Sequence, residues 1–400
     1  MNNISVVKRP PRVSVDPFSD ELLTEPWPFY EILHRHPVVH LEAHQCYAVG
    51  RYSEVTSVLT EHQKFTTTGG IGLSDIRKPG ALRPKSPIVE IDPPEHTAVR
   101  MALQKILSPL VVRKWREDFQ REASLVVERV LDMREVDGVR DIAEEFVLTV
   151  FPRALGIDVP RDRLLLVGEL NFNQMGPDNA RYRRILERAK PILEWYDAQL
   201  RREKMLPGGF GEQIFAAEDR GEFAVGTAGP HVRSFFRGGV DSTVAGIGFT
   251  LNQLARHPDQ YAAIRTDDAK VRMAFEEGMR HGSPIHVVFR TTTQDTCLSG
   301  YELMPDTKVA CYLGAANRDP RRWAAPDQFD IARDVHGTHL ALGAGAHVCI
   351  GQMIARQEAE SILGALSKRV KKLEIMAEPT YRPINALRTL EKLPLRLTPA

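Results

Sequence analysis

The chain has few cysteines and no long hydrophobic run. Its 400 residues include four cysteines, and no two of them lie within four residues of each other: Cys46, Cys297, Cys311 and Cys349. This spacing excludes a CxxC redox motif and the cysteine pairs of a zinc site. A chain of this size does not need disulfides, so we expect reduced thiols in a cytoplasm. No stretch approaches the roughly 18 apolar residues of a membrane span, and the N-terminus lacks the apolar core of a signal peptide.

The chain also lacks an excess of positive or negative charge. The 53 basic and 52 acidic residues give a formal net charge of +1. A global electrostatic role with nucleic acid or an anionic membrane is therefore not indicated. The length alone would suggest two or three domains, but no shift in composition marks a boundary.

The pattern of apolar residues is mostly helical. Residues 1–17 read as an irregular, proline-containing lead-in, and residues 64–94 as a long loop rich in Gly, Pro, Ser and Thr, a length that is often functional. Helical spacing follows over 97–205, over about 226–257 and over about 350–367, and the C-terminal end resembles hairpin strands. We predict a mainly α fold with a small β portion. Gly238 and Gly239, inside the long helical pattern at about 226–257, predict a local distortion or close packing.

The segment LALGAGAHVCIGQ, residues 340–352, places Cys349 among glycines just before a helical pattern. Three interpretations stand on these residues alone. Cys349 is a buried structural thiol, a nucleophile assisted by His347, or a ligand to a metal or haem iron, because a helix start favours the thiolate. The residue types alone favour the structural thiol.

Other motifs in chain order change that balance. Leu342 to Gly351 resembles the Phe-Gly-x-Gly-x-His-x-Cys-x-Gly haem signature of cytochromes P450, with Leu342 in place of phenylalanine. The segments DPPEHTAVR (92–100), GGVDST (238–243) and Glu277-x-x-Arg280 resemble three more motifs of that family. The resemblance covers essentially the whole chain. It implies a single-domain cytochrome P450 fold over 18–400, with a haem loop at 342–351 and the oxygen-binding long helix at about 226–257.

The resemblance also implies a cofactor and roles for individual residues. A b-type haem (iron protoporphyrin IX) would have Cys349 as its iron ligand and O2 as its co-substrate. The residues implied around it are His96, Arg100, Arg290 and His347 at the propionates and Gly343, Gly345 and Gly351 in the loop. Asp241 and Ser242 would deliver protons. Since relatives usually carry threonine at the second position, we expect retained activity with some leakage to peroxide. Glu277 and Arg280 would form a buried pair with the segment PDQFDIAR.

The family resemblance implies redox partners as well. Electrons would come from NAD(P)H through an iron–sulfur ferredoxin and its flavin reductase, and we expect a monomer in the cytoplasm. Five arginines around the cysteine loop in sequence are candidates for a basic docking face: Arg318, Arg321, Arg322, Arg333 and Arg356.

A closer resemblance points to a substrate. Long stretches, among them RPKSPIVEIDPPEHT and HVRSFFRGGVDSTVAGIG, are similar to bacterial P450s that O-demethylate 4-methoxybenzoate and related para-substituted benzoates. This implies a carboxylate anchor made of Arg83, Ser86, Arg233 and Ser234, with oxidation at the para substituent. The remaining pocket residues implied are Phe172, Met175, Arg237, Gly238 and Val288.

Several departures from that group predict a roomier and more polar pocket. Met175 and Val288 replace aromatic residues, Asn171 replaces an apolar one, and Arg237 replaces a small one. We therefore expect vanillate-like or cinnamate-like acids to fit. Arg237 would reach the substrate, pair with Asp241 or turn to solvent. The alternatives for the whole protein are a P450 acting on a neutral terpenoid or fatty acid, a peroxide-driven P450, and a haem-binding sensor.

Overall fold

The computed structural model describes residues 8–400, so predictions for residues 1–7 lie outside the described residues. The helices are α1 (Asp20–Thr24), α2 (Trp27–Arg35), α3 (Tyr52–Thr60), α4 (Glu95–Ile106), α5 (Pro109–Lys114), α6 (Arg116–Met133), α7 (Glu145–Leu155), α8 (Arg161–Asn173), α9 (Ala180–Ala189), α10 (Leu193–Gln199), α11 (Phe210–Asp219), α12 (Ala228–Gly238), α13 (Asp241–Arg256), α14 (Pro258–Thr266), α15 (Ala269–Gly282), α16 (Leu313–Ala316) and α17 (Gln352–Arg369). The chain is 52% helical and 14% strand in a single domain, which confirms the predicted fold class. No helix of the described part is long and apolar enough to cross a membrane.

The strands form one larger sheet and several small ones. They are β1 (Arg12–Val13), β2 (Val39–Leu41), β3 (Cys46–Val49), β4 (Phe65–Thr66), β5 (Glu135–Asp137), β6 (Val287–Thr292), β7 (Thr296–Leu298), β8 (Tyr301–Leu303), β9 (Lys308–Tyr312), β10 (Val370–Ile375), β11 (Thr380–Pro383), β12 (Arg388–Lys392) and β13 (Pro394–Pro399). The six-stranded sheet has the order β1-β2-β3-β9-β6-β4. The lead-in is not irregular throughout, because Arg12 and Val13 extend this sheet in parallel to His40 and Leu41.

The long helix predicted over about 226–257 is two helices. Helix α12 ends at Gly238 and α13 begins at Asp241. At Gly239 a Cβ atom would come within 2.0 Å of the Phe151 ring of α7, so only glycine permits this packing. The prediction of a distortion at the glycine pair is confirmed, and the prediction of one continuous helix is wrong.

Helix α15 carries an ion pair in the protein interior. Arg280 Nε and Nη2 each donate to the Glu277 carboxylate at 2.7 Å, and both side chains are fully buried. Arg280 Nη1 also donates to the carbonyl oxygens of Asn317 and Pro326, each at 2.8 Å. Glu277 Oε1 accepts the backbone N–H of Asp330 at 3.0 Å. The pair therefore fixes the segment PDQFDIAR (326–333) on α15.

The neighbouring residue Glu276 connects α15 to the cysteine loop. Its carboxylate contacts His339 Nε2 at 2.9 Å and accepts a hydrogen bond from Arg356 Nε on α17. Burial opposes ionisation of Glu276, but the hydrogen bonds from His339 and Arg356 outweigh it and lower its pKa to about 2. Both ends of the loop that carries Cys349 are therefore attached to one carboxylate.

These contacts bear on the five arginines predicted as candidates for a basic docking face. Arg356 is buried against Glu276, and Arg333 lies 3.3 Å from Glu277. Arg318 is also buried and lies over the Trp27 ring. Only Arg321 and Arg322 of the five are exposed, so the expectation of a basic face is wrong for the other three.

Removing Arg280 tests how strongly this interior ion pair holds the fold. Arg280→Ala removes the bidentate partner of the buried Glu277 and leaves it only Arg333 and the Asp330 N–H, so we expect a loss of about 3 kcal/mol in the free energy of unfolding. Arg121→Ala is the matched control, because Arg121 pairs at 2.8 Å with Asp118, three residues before it, on the exposed face of α6. That variant should lose less than about 1 kcal/mol. Urea unfolding followed by circular dichroism measures both, and equal losses would contradict the assignment.

Candidate active site

A single cavity brings together nearly all of the predicted site residues. It lies between the α12–α13 break and the cysteine loop, with the 64–94 loop and β6 at its sides. Of the predicted residues, the following line it: Arg83, Ser86, His96, Arg100, Phe172, Met175, Arg233, Ser234, Arg237, Gly238, Ser242, Val288, Arg290, Gly343, His347, Cys349 and Gly351. Asp241 and Gly345 do not line it, and Glu277 and Arg280 lie in the interior core.

Backbone geometry presents the Cys349 side chain to the cavity. Gly343 has φ of 75°, a conformation that favours glycine, and Cys349 N donates to Leu342 O at 2.8 Å. Gly345 serves a different purpose from the one predicted. A Cβ there would lie 3.1 Å from Leu59 O, so its glycine lets the loop pack on the end of α3.

The Cys349 thiol is poorly placed to act as a free nucleophile. Burial raises its pKa, although the backbone N–H of Gly351 at the start of α17 and the charge of Arg100 oppose the shift. The predicted stabilisation of the thiolate by the helix start is therefore present but is outweighed. A bound metal ion deprotonates a coordinating thiol directly, so the site suits a metal ligand better than a nucleophile.

Three buried basic residues and the partly buried His347 converge beside the cysteine loop. His96 and Arg100 come from α4, Arg290 from β6 and His347 from the loop itself, and the His96 and His347 ring centroids are 4.1 Å apart. Burial, together with the nearby charge of Arg290, lowers the pKa of His347 to about 3. Both ring nitrogens of His96 are buried without a protein partner. Arg290 has only its neighbour's carbonyl, Phe289 O, at 2.9 Å.

This arrangement fits a haem. Buried donors without partners need acceptors, and the two propionate carboxylates of a haem would supply them. The lone thiol on the adjoining loop is the kind of axial ligand that haem iron takes. Gly343 and Gly351 also line this cavity, and because they have no side chains they leave the space beside the cysteine loop open.

Asp241 and Ser242, the two residues predicted to deliver protons, are adjacent at the start of α13. Their side chains face different surroundings. Ser242 faces the cavity, and its hydroxyl donates to Gly238 O at 2.9 Å. The Asp241 carboxyl group faces α8 instead, where a Cβ on Gly168 would meet Oδ2 at 1.8 Å. Burial raises the pKa of Asp241 to about 7, and Arg382 opposes the shift. The alternative pairing of Asp241 with Arg237 is not found among the ion pairs of residues 8–400.

The predicted carboxylate anchor is assembled at the end of the cavity where α12 meets the 64–94 loop. Ser86 Oγ and Ser234 Oγ are 2.8 Å apart. The Arg83 side chain is only 8% exposed, and Arg83 Nη2 lies 3.6 Å from Glu90 Oε1. Arg83 Nε and Nη1 are buried and have no partner among the described residues. These N–H groups therefore remain available to an anion in the cavity.

The other cavity residues shape the space between the anchor and Cys349. Phe172 and Met175 are buried on one wall and Val288 lies on another. Met175 O accepts the N–H of Leu73 at 2.8 Å, which ties this wall to the 64–94 loop. Asn171 Nδ2 donates to Arg237 O at 3.2 Å. The wall is thus apolar, with one polar side chain attached to α12.

Two buried polar residues of the cavity lining were missed by the sequence analysis. Thr243 follows Ser242 on α13, and Glu358 is a fully buried carboxyl group on α17. Burial raises the pKa of Glu358 well above its usual range, and Thr243 opposes this. The spacing Ile354, Glu358, Ile362 places Glu358 on the apolar face of its helix, and this signal could have identified it.

The raised pKa of Asp241 predicts a pH-dependent effect on stability. The unfolded chain releases this proton near pH 4 and the folded chain near pH 7. The folded state thus binds the proton more tightly, and between these values the free energy of unfolding falls by about 1.4 kcal/mol per pH unit. Asp241→Asn removes this loss, so its stability relative to the unmodified chain should increase from pH 5 to pH 8.

Urea unfolding at pH 5, 6, 7 and 8 measures this difference. Asp132→Asn, at an exposed position of α6, is the control and should differ from the unmodified chain by the same amount at each pH. A pH-independent difference for Asp241→Asn would show that its carboxyl group ionises normally.

Comparisons with known proteins support the interpretation of this cavity as a haem site. The family profile described as "Cytochrome P450" matches residues 217–371. The chain is 41% identical over 393 residues to cytochrome P450 CYP199A2 of Rhodopseudomonas palustris, covering 98% of this chain and 95% of that one. It is 27% identical to linalool 8-monooxygenase of Pseudomonas putida, over 78% of each chain. The solved structure of cytochrome P450 CYP109Q5 from Chondromyces apiculatus superposes with a TM-score of 0.80 and 28% identity, over 97% of this chain and 99% of that one. The prediction from the haem-loop motif is confirmed, and the chain belongs to the cytochrome P450 family of monooxygenases.

Proposed function

We propose that this monooxygenase oxidises a small aromatic carboxylic acid at its para substituent, by O-demethylation or hydroxylation. The observation that carries the proposal is Arg83, which lines the cavity and whose buried Nε and Nη1 have no partner among residues 8–400. A buried guanidinium without a full set of acceptors is costly, and a ligand carboxylate would supply them.

Residues of this chain would hold the haem at the other end of the cavity. Cys349 would bind the iron, and His96, Arg100, Arg290 and His347 would bind the propionates. When bound, the haem supplies oxygen activation, which a cysteine ligand promotes by electron donation. Electrons would reach it from NAD(P)H through an external ferredoxin and its flavin reductase.

The anchor would orient the substrate. Arg83 would bind the carboxylate through its planar fork. The paired hydroxyls of Ser86 and Ser234 would supply one further donor beside it, in place of the bond from Ser234 Oγ to Pro230 O. Phe172 and Met175 would pack on the ring and exclude water. The para substituent would then point toward Cys349, because the carboxylate is held at the opposite end.

Asp241 and Ser242 would control protons at the α13 start. With a pKa of about 7, the Asp241 carboxyl group can hold or release a proton near neutral pH. It lies outside the cavity and Ser242 lies inside, so Asp241 would exchange protons on the α8 side. Ser242 Oγ, which donates to Gly238 O, would accept a hydrogen bond on the cavity side. Serine has more rotamer freedom than threonine, so we propose that some reducing equivalents are lost as peroxide.

A neutral terpenoid or fatty acid fits the same cavity less well. Such a ligand has no acceptor at the anchor end for Arg83 Nε and Nη1, which would remain buried and unpaired. A peroxide-driven enzyme or a sensor would have no need of the titratable Asp241 beside Ser242.

Replacing Arg83 tests the anchor. We expect Arg83→Ala to weaken 4-methoxybenzoate binding about 10- to 100-fold, because a charge-assisted contact is lost. Titration of the Soret shift of the haem-loaded protein measures this, with 4-methoxycinnamate and vanillate as further ligands. Arg77→Ala, on the same loop but paired with Asp75 outside the cavity, is the control and should leave binding unchanged.

Uncharged 4-phenylimidazole shows whether the Arg83→Ala pocket is still intact, and its affinity should be preserved. If Arg83→Ala binds 4-methoxybenzoate as tightly as the unmodified protein, the anchor assignment is wrong. If no aromatic acid shifts the Soret band of the unmodified protein, the proposed function is wrong.

Ser242 is tested by the fate of the electrons. Ser242→Ala should raise the peroxide formed per NADH consumed, and Ser242→Thr should lower it below that of the unmodified enzyme, because the added methyl group restricts the rotamer. Peroxide assays during turnover of 4-methoxybenzoate with ferredoxin and reductase measure both. Identical peroxide yields in all three proteins would argue against a role for this hydroxyl.

A further inference from the structure

The anchor end of the cavity has more positive charge than its own acids neutralise. Arg83 lies near Glu90, and Arg233 Nη2 binds Asp197 Oδ1 at 2.8 Å. Arg237 also lines the cavity, and it has no carboxylate within ion-pair distance among the described residues. The one acidic residue of the described lining, Glu358, is on α17, where burial raises its pKa.

Arg237 is held inside rather than turned to solvent. Its Nε is buried without a partner, and its guanidinium lies 5.8 Å from the centroid of the Tyr196 ring. Arg237 is one helical turn after Ser234, about 4.5 Å further along α12. Of the three orientations expected from the sequence, pairing with Asp241 is not observed among the described residues, and the side chain is only partly exposed. The cavity-facing orientation is the one present.

Arg237 and Arg83 influence each other across this end of the cavity. Burial lowers the pKa of Arg83, Glu90 opposes the shift, and the charge of Arg237 adds to it. Two guanidinium groups in a poorly hydrated space repel each other unless an anion lies between them. One carboxylate would match the free N–H groups of Arg83 and would leave Arg237 unpaired.

We propose that Arg237 is a specificity-determining residue that makes the pocket prefer aromatic acids with two negative charges at the anchor end. Arg83, Ser86 and Ser234 bind the first charge, and Arg237 binds the second. This narrows the substrate class of the proposed function and rests on it. The second charge is carried either by the same group, as in an aryl phosphate monoester, or by a neighbouring carboxylate, as in a phthalate.

Four ligands with the same para-methoxyphenyl body separate charge from shape. 4-Methoxyphenyl phosphate carries two charges at pH 8, since a phosphate monoester has a second pKa of about 6. 4-Methoxybenzenesulfonate has a tetrahedral three-oxygen head with one charge, bonded to the ring without the ester oxygen of the phosphate. 4-Methoxyphthalate has two carboxylates and 4-methoxybenzoate has one. Soret titrations of the haem-loaded protein at pH 8 give the dissociation constant of each.

We expect the unmodified protein to bind at least one dianion about tenfold more tightly than its singly charged counterpart, the size of one charge-assisted contact. The phosphate–sulfonate and phthalate–benzoate pairs show which source of the second charge is preferred. Arg237→Gln should abolish that preference, because it should weaken binding of the dianion more than binding of its singly charged counterpart. Arg184→Gln, which removes an exposed arginine of α9, is the charge-matched control and should keep the preference.

Equal affinities within both ligand pairs in the unmodified protein would overturn the proposal. So would a preference for the dianion that survives Arg237→Gln. If either result is found in a protein that binds 4-methoxybenzoate normally, the role of Arg237 is refuted and the proposed function is not. A protein that binds none of the four acids refutes the proposed function itself.

Discussion

Two adjacent carboxylates on α15, Glu276 and Glu277, are the constraint on which the site depends. Glu277 holds Arg280 and the 326–333 segment, and Glu276 holds His339 and Arg356 on either side of the cysteine loop. A buried charge is tolerated only when its partners are complete. Because each of these carboxylates has several donors from different segments, a shift of the loop would break several hydrogen bonds at once. The position of Cys349 therefore depends on this interior network as well as on the backbone geometry of the loop's own glycines.

The break between α12 and α13 relates the two ends of the cavity. It places Ser234 and Arg237 on one helix and Ser242 at the start of the next. The proposed carboxylate anchor and Ser242 therefore lie along the same wall of the cavity. Gly239 makes this possible by admitting Phe151. The result is a cavity with donors at both ends and an apolar middle, which suits a rigid aromatic acid better than a flexible neutral lipid.

Much of this was predictable from the sequence, because the motifs are local and ordered. The haem-loop pattern, the Glu277/Arg280 spacing and the 64–94 loop could be identified without coordinates. The orientation of side chains could not. Asp241 turns toward α8 because Gly168 leaves room there, and Arg356 turns inward to Glu276; both depend on contacts distant in sequence. Arg237 had three open orientations for the same reason, and Glu358 was recognisable only as a charge on an apolar face.

The orientation of a bound aromatic acid tests the central claim most directly. A crystal structure of the haem-loaded protein with 4-methoxybenzoate would show it. We expect the carboxylate within hydrogen-bond distance of Arg83, Ser86 and Ser234, and the methoxy group nearest the iron bound by Cys349. A carboxylate directed toward the iron, or a ligand that leaves Arg83 unpaired, would contradict the proposed function.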